Sequence, residues 1–444
     1  MIYIKLLITL IPVLINEICC QNKAKLLKPC LRKFIIVVDG GSTGTRLHFF
    51  EFKQIDNQIN LILTDKFSSK VALSKFSDAR ADWGLMRIMF NNLTSFAMSK
   101  IPKECFNSTP MYVQVTAGVR QMNQAMSKKI LNHIIGFLLK SQFKFEPEFG
   151  GILSPKREGK FAWVSVNFLL GKFQSDKCLD TVGVLDLGGG STQIAFSTNK
   201  AKLIPETTKT VIFGQQYNVY SNGYDNMGMD IMRLEYFEAT NCKGLKCQNE
   251  VMRSECIHPN VTTNFHFGNV SITIGGIPIK DERRFDECIS MTLRIFRDFG
   301  ILRSYVNDME FVAISAFYHI ISSVIKSNKT KTDFLEYTVS KIGEEANLRC
   351  MSPLKATDHY KHFQCLDMSF ISTLFWAFYG FDFDYKFKFS KKIKNSVSLI
   401  PKYEEMQSDD ILYGNRLRKA LEPEKNLDID IKVTLRYRNE MTGA

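Results

Sequence analysis

Two short stretches carry residue types suited to holding a phosphate. The first, Asp39-Gly40-Gly41-Ser42-Thr43-Gly44-Thr45-Arg46, follows the apolar run Phe34-Ile35-Ile36-Val37-Val38 and leads into Leu47-His48-Phe49-Phe50. This pattern predicts a buried strand ending at Asp39, a glycine turn and a returning strand. Glycines accept positive φ, so successive N–H groups of such a turn can converge on an anion. Asp39, at the strand end, suits a cation or a water rather than the phosphate itself. The device recurs where Val182-Gly183-Val184-Leu185 runs into Asp186-Leu187-Gly188-Gly189-Gly190-Ser191-Thr192-Gln193 and then Ile194-Ala195-Phe196. Neither copy is a Walker loop, because no Gly-Lys-Ser/Thr follows. One Gly-rich turn after a strand reads as a plain hairpin. Two matched copies read as a phosphate clamp between related lobes.

The elements that must position these turns follow in order. Strands are expected over 34–38, 47–52 and 59–63, then a helix over 83–99 closed by Ile101-Pro102. A strand over 111–115 runs into Thr116-Ala117-Gly118-Val119-Arg120. That sets a hydroxyl beside the first hairpin, at the sheet edge where ligands of open α/β sheets collect. Helices are expected over 127–139 and 160–170, the latter stopped by Gly171. Glu158 then falls at or just before a helix N-terminus and, on its residues alone, is an acid favoured by the helix dipole. Beyond the second hairpin come a strand over 217–221, a helix over 228–239 and a loop-rich, disulfide-permissive stretch over 242–288. A helix over 287–298, a strand over 311–315, a turn over 316–319 and helices over 342–350 and 368–381 complete the order. Lysine and phenylalanine alternate over 386–389 as in an edge strand, and alternation returns over 429–435.

The chain has 444 residues, enough for two or three domains, with a globular composition of 45% hydrophobic and 23% charged residues. Its formal charge of +13 admits a polyanionic partner, yet the basic residues are scattered and no aromatic RNA-binding signature appears. Nucleic acid is therefore not an expected partner. Residues 1–20 read as a signal peptide, with a retained anchor as the alternative that Pro12 and the short apolar run disfavour. The apolar run over 368–381 is too short to span a bilayer, so no stable membrane span is expected after signal cleavage. Sequons at Asn92, Asn107, Asn260, Asn269 and Asn328 fit a secretory route. Among 11 cysteines no Cys-x-x-Cys pair occurs, which makes disulfides the default. Secretion and residence in the ER/Golgi lumen both remain open.

Assembled, these residues resemble the apyrase (nucleoside triphosphate diphosphohydrolase) family. Residues 39–46 look like its Asp-Ala-Gly-Ser-Ser/Thr-Gly-Thr-Arg segment, and 116–120 are similar to its Thr-Ala-Gly-Leu-Arg segment. Glu158-Gly159 through Trp163-Val164, Asn167 and Gly171 resemble the third segment, 186–193 the fourth and, more loosely, 311–318 the fifth. The Cys256…Cys288 and Cys350…Cys365 spacings, with Leu366-Asp367-Met368-Ser369-Phe370-Ile371, look most like the soluble nucleoside diphosphatase branch and imply those two disulfides. The resemblance implies an α/β fold of two actin-like (ribonuclease-H-like) lobes with the nucleotide in the interlobe cleft. Lobe I would cover 21–154 and lobe II 155–395, with 396–444 a divergent segment that in the family returns to lobe I.

By the same resemblance Glu158 is the general base for the attacking water. Asp39 and Asp186 orient that nucleophile and the waters of a Ca²⁺ or Mg²⁺ ion, while Thr116, Ser191 and Gln193 help place it. Gly41, Ser42, Thr43 and Gly44, with Gly188, Gly189 and Gly190, hold the phosphates. Phe317, Tyr318 and His319 could stack on a base or pack in the core. Gly40 and Gly190 stand where the family has alanine, and no Gly-Trp-Ala-Leu-Gly-like strand follows Asn395. The expected protein is a monomeric, secreted or lumenal hydrolase of nucleoside di- and triphosphates. The alternative is a nucleotide-sequestering protein of the same fold with weak or no turnover. Glu158 favours the first and the divergent C-terminus the second. A sugar kinase of this broad fold fits the sequons and cysteines badly.

Overall fold

The first strand, β1 (Lys33–Gly41), buries its whole apolar run over 34–38, as a central strand covered on both faces must. The structure is a computed structural model. It describes residues 32–393 apart from 42–43, 56–57, 78–81, 175–179, 200–203, 205–206, 213–214, 244–245, 248–250, 268–269, 279–280, 297–305, 307–308, 326–333, 353–360 and 392. The expected signal peptide, the divergent segment over 396–444, Ser42, Thr43, Asn269 and Asn328 lie outside the described residues.

β1 forms a hairpin with β2 (Gly44–Ile55), which continues into β3 (Gln58–Ser69). Helix α1 (Trp83–Lys100) then leads to β4 (Met111–Val115), and the short α2 (Ala117–Arg120) and α3 (Gln124–Leu138) lead to β5 (Gly150–Ile152). The sheet order is β3-β2-β1-β4-β5, with antiparallel pairing on the hairpin side and parallel pairing between β1, β4 and β5. Val38, Leu47 and Phe49 pack with Phe90 of α1 and Ile130 and Ile134 of α3 to form the core of this half.

The second half repeats the plan. After α4 (Pro155–Leu169), β6 (Gly183–Leu187) and β7 (Ser191–Ser197) form a hairpin, followed by β8 (Thr208–Ile212) and β9 (Gln215–Asp225). Then come α5 (Met229–Asn241), the hairpin of β10 (Cys242–Lys243) and β11 (Lys246–Cys247), β12 (Val251–Ser254), β13 (Thr262–Phe267), β14 (Val270–Gly276) and α6 (Asp281–Phe296). β15 (Phe311–Ser315), α7 (Ala316–Val324), β16 (Leu335–Thr338), α8 (Val339–Met351), α9 (Gln364–Thr373) and β17 (Lys386–Ser390) close the described chain. The sheet order is β16-β17-β15-β6-β7-β9-β8. Without the outer β16 and β8, its strands β9-β7-β6-β15-β17 match β3-β2-β1-β4-β5 in order and in sense. The doubled Asp-Gly turn is thus the visible trace of a doubled sheet, and Asp39 and Asp186 occupy equivalent strand ends.

Three expectations are corrected. The stretch over 242–288 is not loop-rich, since β12, β13 and β14 form a three-stranded sheet there. Residues 316–319 open a helix rather than a turn, and Phe317 is fully buried, stacked on Phe375. β17 is not an edge strand, because it pairs with β15 on one side and β16 on the other. Its lysines are neutralised instead, Lys386 by Glu336 and Lys388 by Glu310.

Disulfides Cys256–Cys288 and Cys350–Cys365 lie in a satellite core with Tyr236, Phe237 and Phe265. The second joins α8 to α9 across 15 residues, so replacing both cysteines by alanine is expected to lower the unfolding free energy by about 3 kcal/mol. Urea denaturation of the double variant measures it.

Candidate active site

The β1–β2 register sets Asp39 opposite Arg46 and Gly41 opposite Gly44. Arg46 Nη1 lies 3.8 Å from Asp39 Oδ2, a loose pairing that leaves the carboxylate partly exposed at the strand end. Gly44 has φ 155° and a Cβ there would sit 2.5 Å from the Ser69 carbonyl oxygen, so the turn requires glycine. At Gly40 an added Cβ would meet Leu73 Cδ1 at 2.4 Å. The departure from alanine therefore matches a leucine that fills the space. β4 runs parallel to β1 and ends at Val115, level with Gly40, so that Thr116 follows it. There the Thr116 N–H donates to the Gly40 carbonyl at 3.1 Å, with the hydroxyl 3.4 Å from the same oxygen.

In the second hairpin Asp186 is buried at the end of β6 and pairs in register with Gln193, while Gln193 Nε2 donates to Ser191 Oγ at 2.7 Å. The Gly188 and Gly189 carbonyls accept from the first N–H groups of α5, those of Met229, Asp230 and Ile231. With the carbonyls so engaged, the N–H groups of Gly189 and Gly190 have no acceptor among the described residues. Thr192 Oγ1 donates to the Asp186 carbonyl at 3.0 Å and contacts Tyr379 Oη at 2.9 Å. Tyr379 follows a π-helical turn, Leu374–Phe378, that ends α9; its burial pushes the phenol pKa upward.

Glu158 sits in the first turn of α4. Ser154 caps the helix by accepting from the Arg157 N–H, Pro155 takes the first position and Gly171, at φ 70°, stops it. Four residues from the cap, Glu158 is 4% exposed. Its neighbour Gly159 lets the helix press on the second hairpin, since a Cβ there would lie 2.8 Å from Ser221 Oγ and 3.2 Å from Gln193 Cβ. Asn167, also in α4, fixes the start of β6 by bonding both the Val182 N–H and its carbonyl. Lys160 lies two residues past Glu158; burial, with Arg157 and Lys156 nearby, lowers its ammonium pKa to about 8.

Sequence reasoning missed the group that ties these segments together. Arg120, one helical turn past Thr116, donates through Nη1 to Glu158 Oε2 at 3.2 Å and through Nε to both carboxylate oxygens of Asp225. Burial opposes its charge, but Asp225 and Glu158 outweigh that and hold its pKa above the usual value. Beside it Gln121 Nε2 donates to the Gly190 carbonyl at 2.7 Å, and a Cβ on Gly190 would meet Ala117 Cβ at 3.0 Å. The Thr116–Gln121 segment therefore touches the first hairpin at one end and the second hairpin and Glu158 at the other. Arg120 lay inside a recognised motif; Asp225 carried no signal.

Of the aromatic candidates, Phe317 has no face free for a base, and Tyr318 is half-buried at the edge of the same core. Ser315, the last residue of β15, lies beside Leu187 in register and has φ 65°, a strained conformation of the sort that clusters at functional sites. No three His, Cys, Asp or Glu side chains among the described residues group as a chelating set. The oxygen donors at the two strand ends suit a hard cation held through water and phosphate.

A family model for the GDA1/CD39 (nucleoside phosphatase) family matches residues 26–398. The chain belongs to that family. The chain is similar to "Nucleoside diphosphate phosphatase ENTPD5" of Homo sapiens, 29% identical over 378 residues, covering 81% of this chain and 83% of the relative. "Ectonucleoside triphosphate diphosphohydrolase 6" of Mus musculus is 27% identical over 368 residues, covering 81% and 78%. A crystal structure of nucleoside triphosphate hydrolases from Neospora caninum shares the fold with TM-score 0.55 at 15% identity, covering 84% of this chain and 91% of that one. Membership in the GDA1/CD39 family makes the chain a hydrolase of nucleotide phosphoanhydride bonds. No helix among the described residues is long and apolar enough to cross a membrane.

Proposed function

We propose that this GDA1/CD39 chain is a divalent-cation-dependent hydrolase of nucleoside di- and triphosphates that releases the terminal phosphate by water attack. The observation that carries the reading is that the segment beginning at Thr116 bonds the first hairpin at the Gly40 carbonyl, Glu158 through Arg120 and the second hairpin through Gln121 at the Gly190 carbonyl. Phosphoryl transfer asks the protein chiefly to position groups and neutralise charge. Amides of the two turns cradle the phosphates. Glu158 accepts the proton of the attacking water as the new P–O bond forms and the nucleotide leaves with the electrons of the broken one. Gln193 and Ser191, already bonded to each other, orient that water, and Thr116 closes the site from the first hairpin. Asp39 and Asp186 would hold the waters of Ca²⁺ or Mg²⁺, which when bound neutralises charge on the phosphate oxygens.

The disulfides and the exposed sequon residues Asn92, Asn107 and Asn260 support a secretory compartment. Phosphate release from UDP, GDP, ADP and ATP, each with Ca²⁺, Mg²⁺ or EDTA, tests the reading. Turnover is expected with either cation and none in EDTA. A folded protein that binds nucleotide without releasing phosphate would instead be a sequestering module.

A further inference from the structure

We propose that Asp225 is a positioning residue for Glu158, acting through Arg120; this rests on the hydrolase reading above. Asp225 ends β9, opposite Ser191 in register, and the next N–H, that of Asn226, donates to the Gly190 carbonyl at 3.1 Å. Asn226 itself has φ 66°, which fixes the strand end against the second turn. From that anchored place both oxygens of Asp225 receive Arg120, with Nε to Oδ2 at 3.0 Å. A planar guanidinium held along one edge has its remaining nitrogen aimed. That nitrogen, Nη1, is shared between the Leu153 carbonyl and Glu158 Oε2.

Two consequences follow. The direction of the Glu158 carboxylate is set from the same strand end that shapes the phosphate turn. Asp225 also takes a share of the Arg120 charge, so that the guanidinium meets Glu158 through Nη1 alone. Without Asp225 the guanidinium is no longer held along its other edge and can turn more of its charge onto Glu158, which lowers the proton affinity of the carboxylate. The other titratable groups on the elements around Glu158 are Lys156, Arg157 and Lys160 on α4, Asp186 on β6 and the three tyrosines of β9; β7 has none. All of them stay in place when Asp225 is changed.

The test compares the full chain with D225N, D225E and R120Q in steady-state phosphate release across pH, with thermal unfolding alongside. For D225N kcat is expected to fall by up to about 10²-fold with KM nearly unchanged, and the acid limb of kcat to move down by about one pH unit. D225E restores both. R120Q moves the acid limb the other way, to higher pH. A D225N enzyme with the acid limb in place, whether or not its Tm falls, overturns the inference and leaves the hydrolase reading standing. A wild-type protein that releases no phosphate overturns both.

Discussion

Glu158→Gln is expected to lower kcat by roughly 10²–10⁴-fold, the range for losing a general base, while KM changes little. The substitution keeps the shape of the side chain and an oxygen for Arg120 Nη1, which lies 3.2 Å from Oε2. It removes the capacity to take a proton. Arg120 does not lose its place, because Asp225 still holds its other edge, so the cross-link between α2, α4 and β9 survives. Ser154 still caps α4 and Gly159 still seats it on Gln193. Unfolding temperature should therefore move far less than turnover. Phosphate release at saturating nucleotide, with circular dichroism of the same preparation, checks both halves. Retention of more than about a tenth of the wild-type rate would remove Glu158 from the role of base.

Much of the plan was legible because it is local. Strands ending in Asp-Gly turns announce themselves by composition, and β4 runs over the expected 111–115 with the Thr116 N–H on the Gly40 carbonyl. The doubled turn pointed to a doubled sheet. What stayed hidden is set by tertiary pairing. Asp225 is an ordinary polar residue after Gly-Tyr until β9 is laid beside β7, and Arg120 gains its meaning only when Leu153, Glu158 and Asp225 surround it. Likewise Lys386 and Lys388 look like edge protection until Glu336 and Glu310 are found beside them. Phe317 could have faced a base as readily as the core, and helix α7 turns it onto Phe375. Glu158 shows the same limit from the other side. Its helix was expected to begin at 160, but Ser154 and Pro155 begin it earlier, which keeps the acid in the first turn and buries it to 4% exposed.

Gly228→Ala is expected to raise KM for nucleotide steeply and to cost stability of about 1–3 kcal/mol or more. A Cβ at this position would lie 2.2 Å from the Ser191 nitrogen and 2.4 Å from the carbonyl carbons of Gly189 and Gly190. Every one of those atoms is backbone, so no side chain can swing aside to make room. The turn must move, and it cannot move alone. The Gly188 and Gly189 carbonyls hold the Met229, Asp230 and Ile231 N–H groups of α5, and the Gly190 carbonyl holds Gln121 and Asn226. Pushing the turn outward thus breaks the helix start, turns the Gly189 and Gly190 amides off a phosphate and loosens the strand end that carries Asp225. Gly136→Ala on α3 is the matched control: nothing lies within 4 Å of its Cβ, and an exposed mid-helix glycine replaced by alanine should gain about 0.5–1 kcal/mol. Chemical denaturation and nucleotide titration of both variants separate the two effects. If Gly228→Ala lost stability yet kept the wild-type KM, the second turn would be a packing element, and the phosphate cradle would have to be sought at the first hairpin alone.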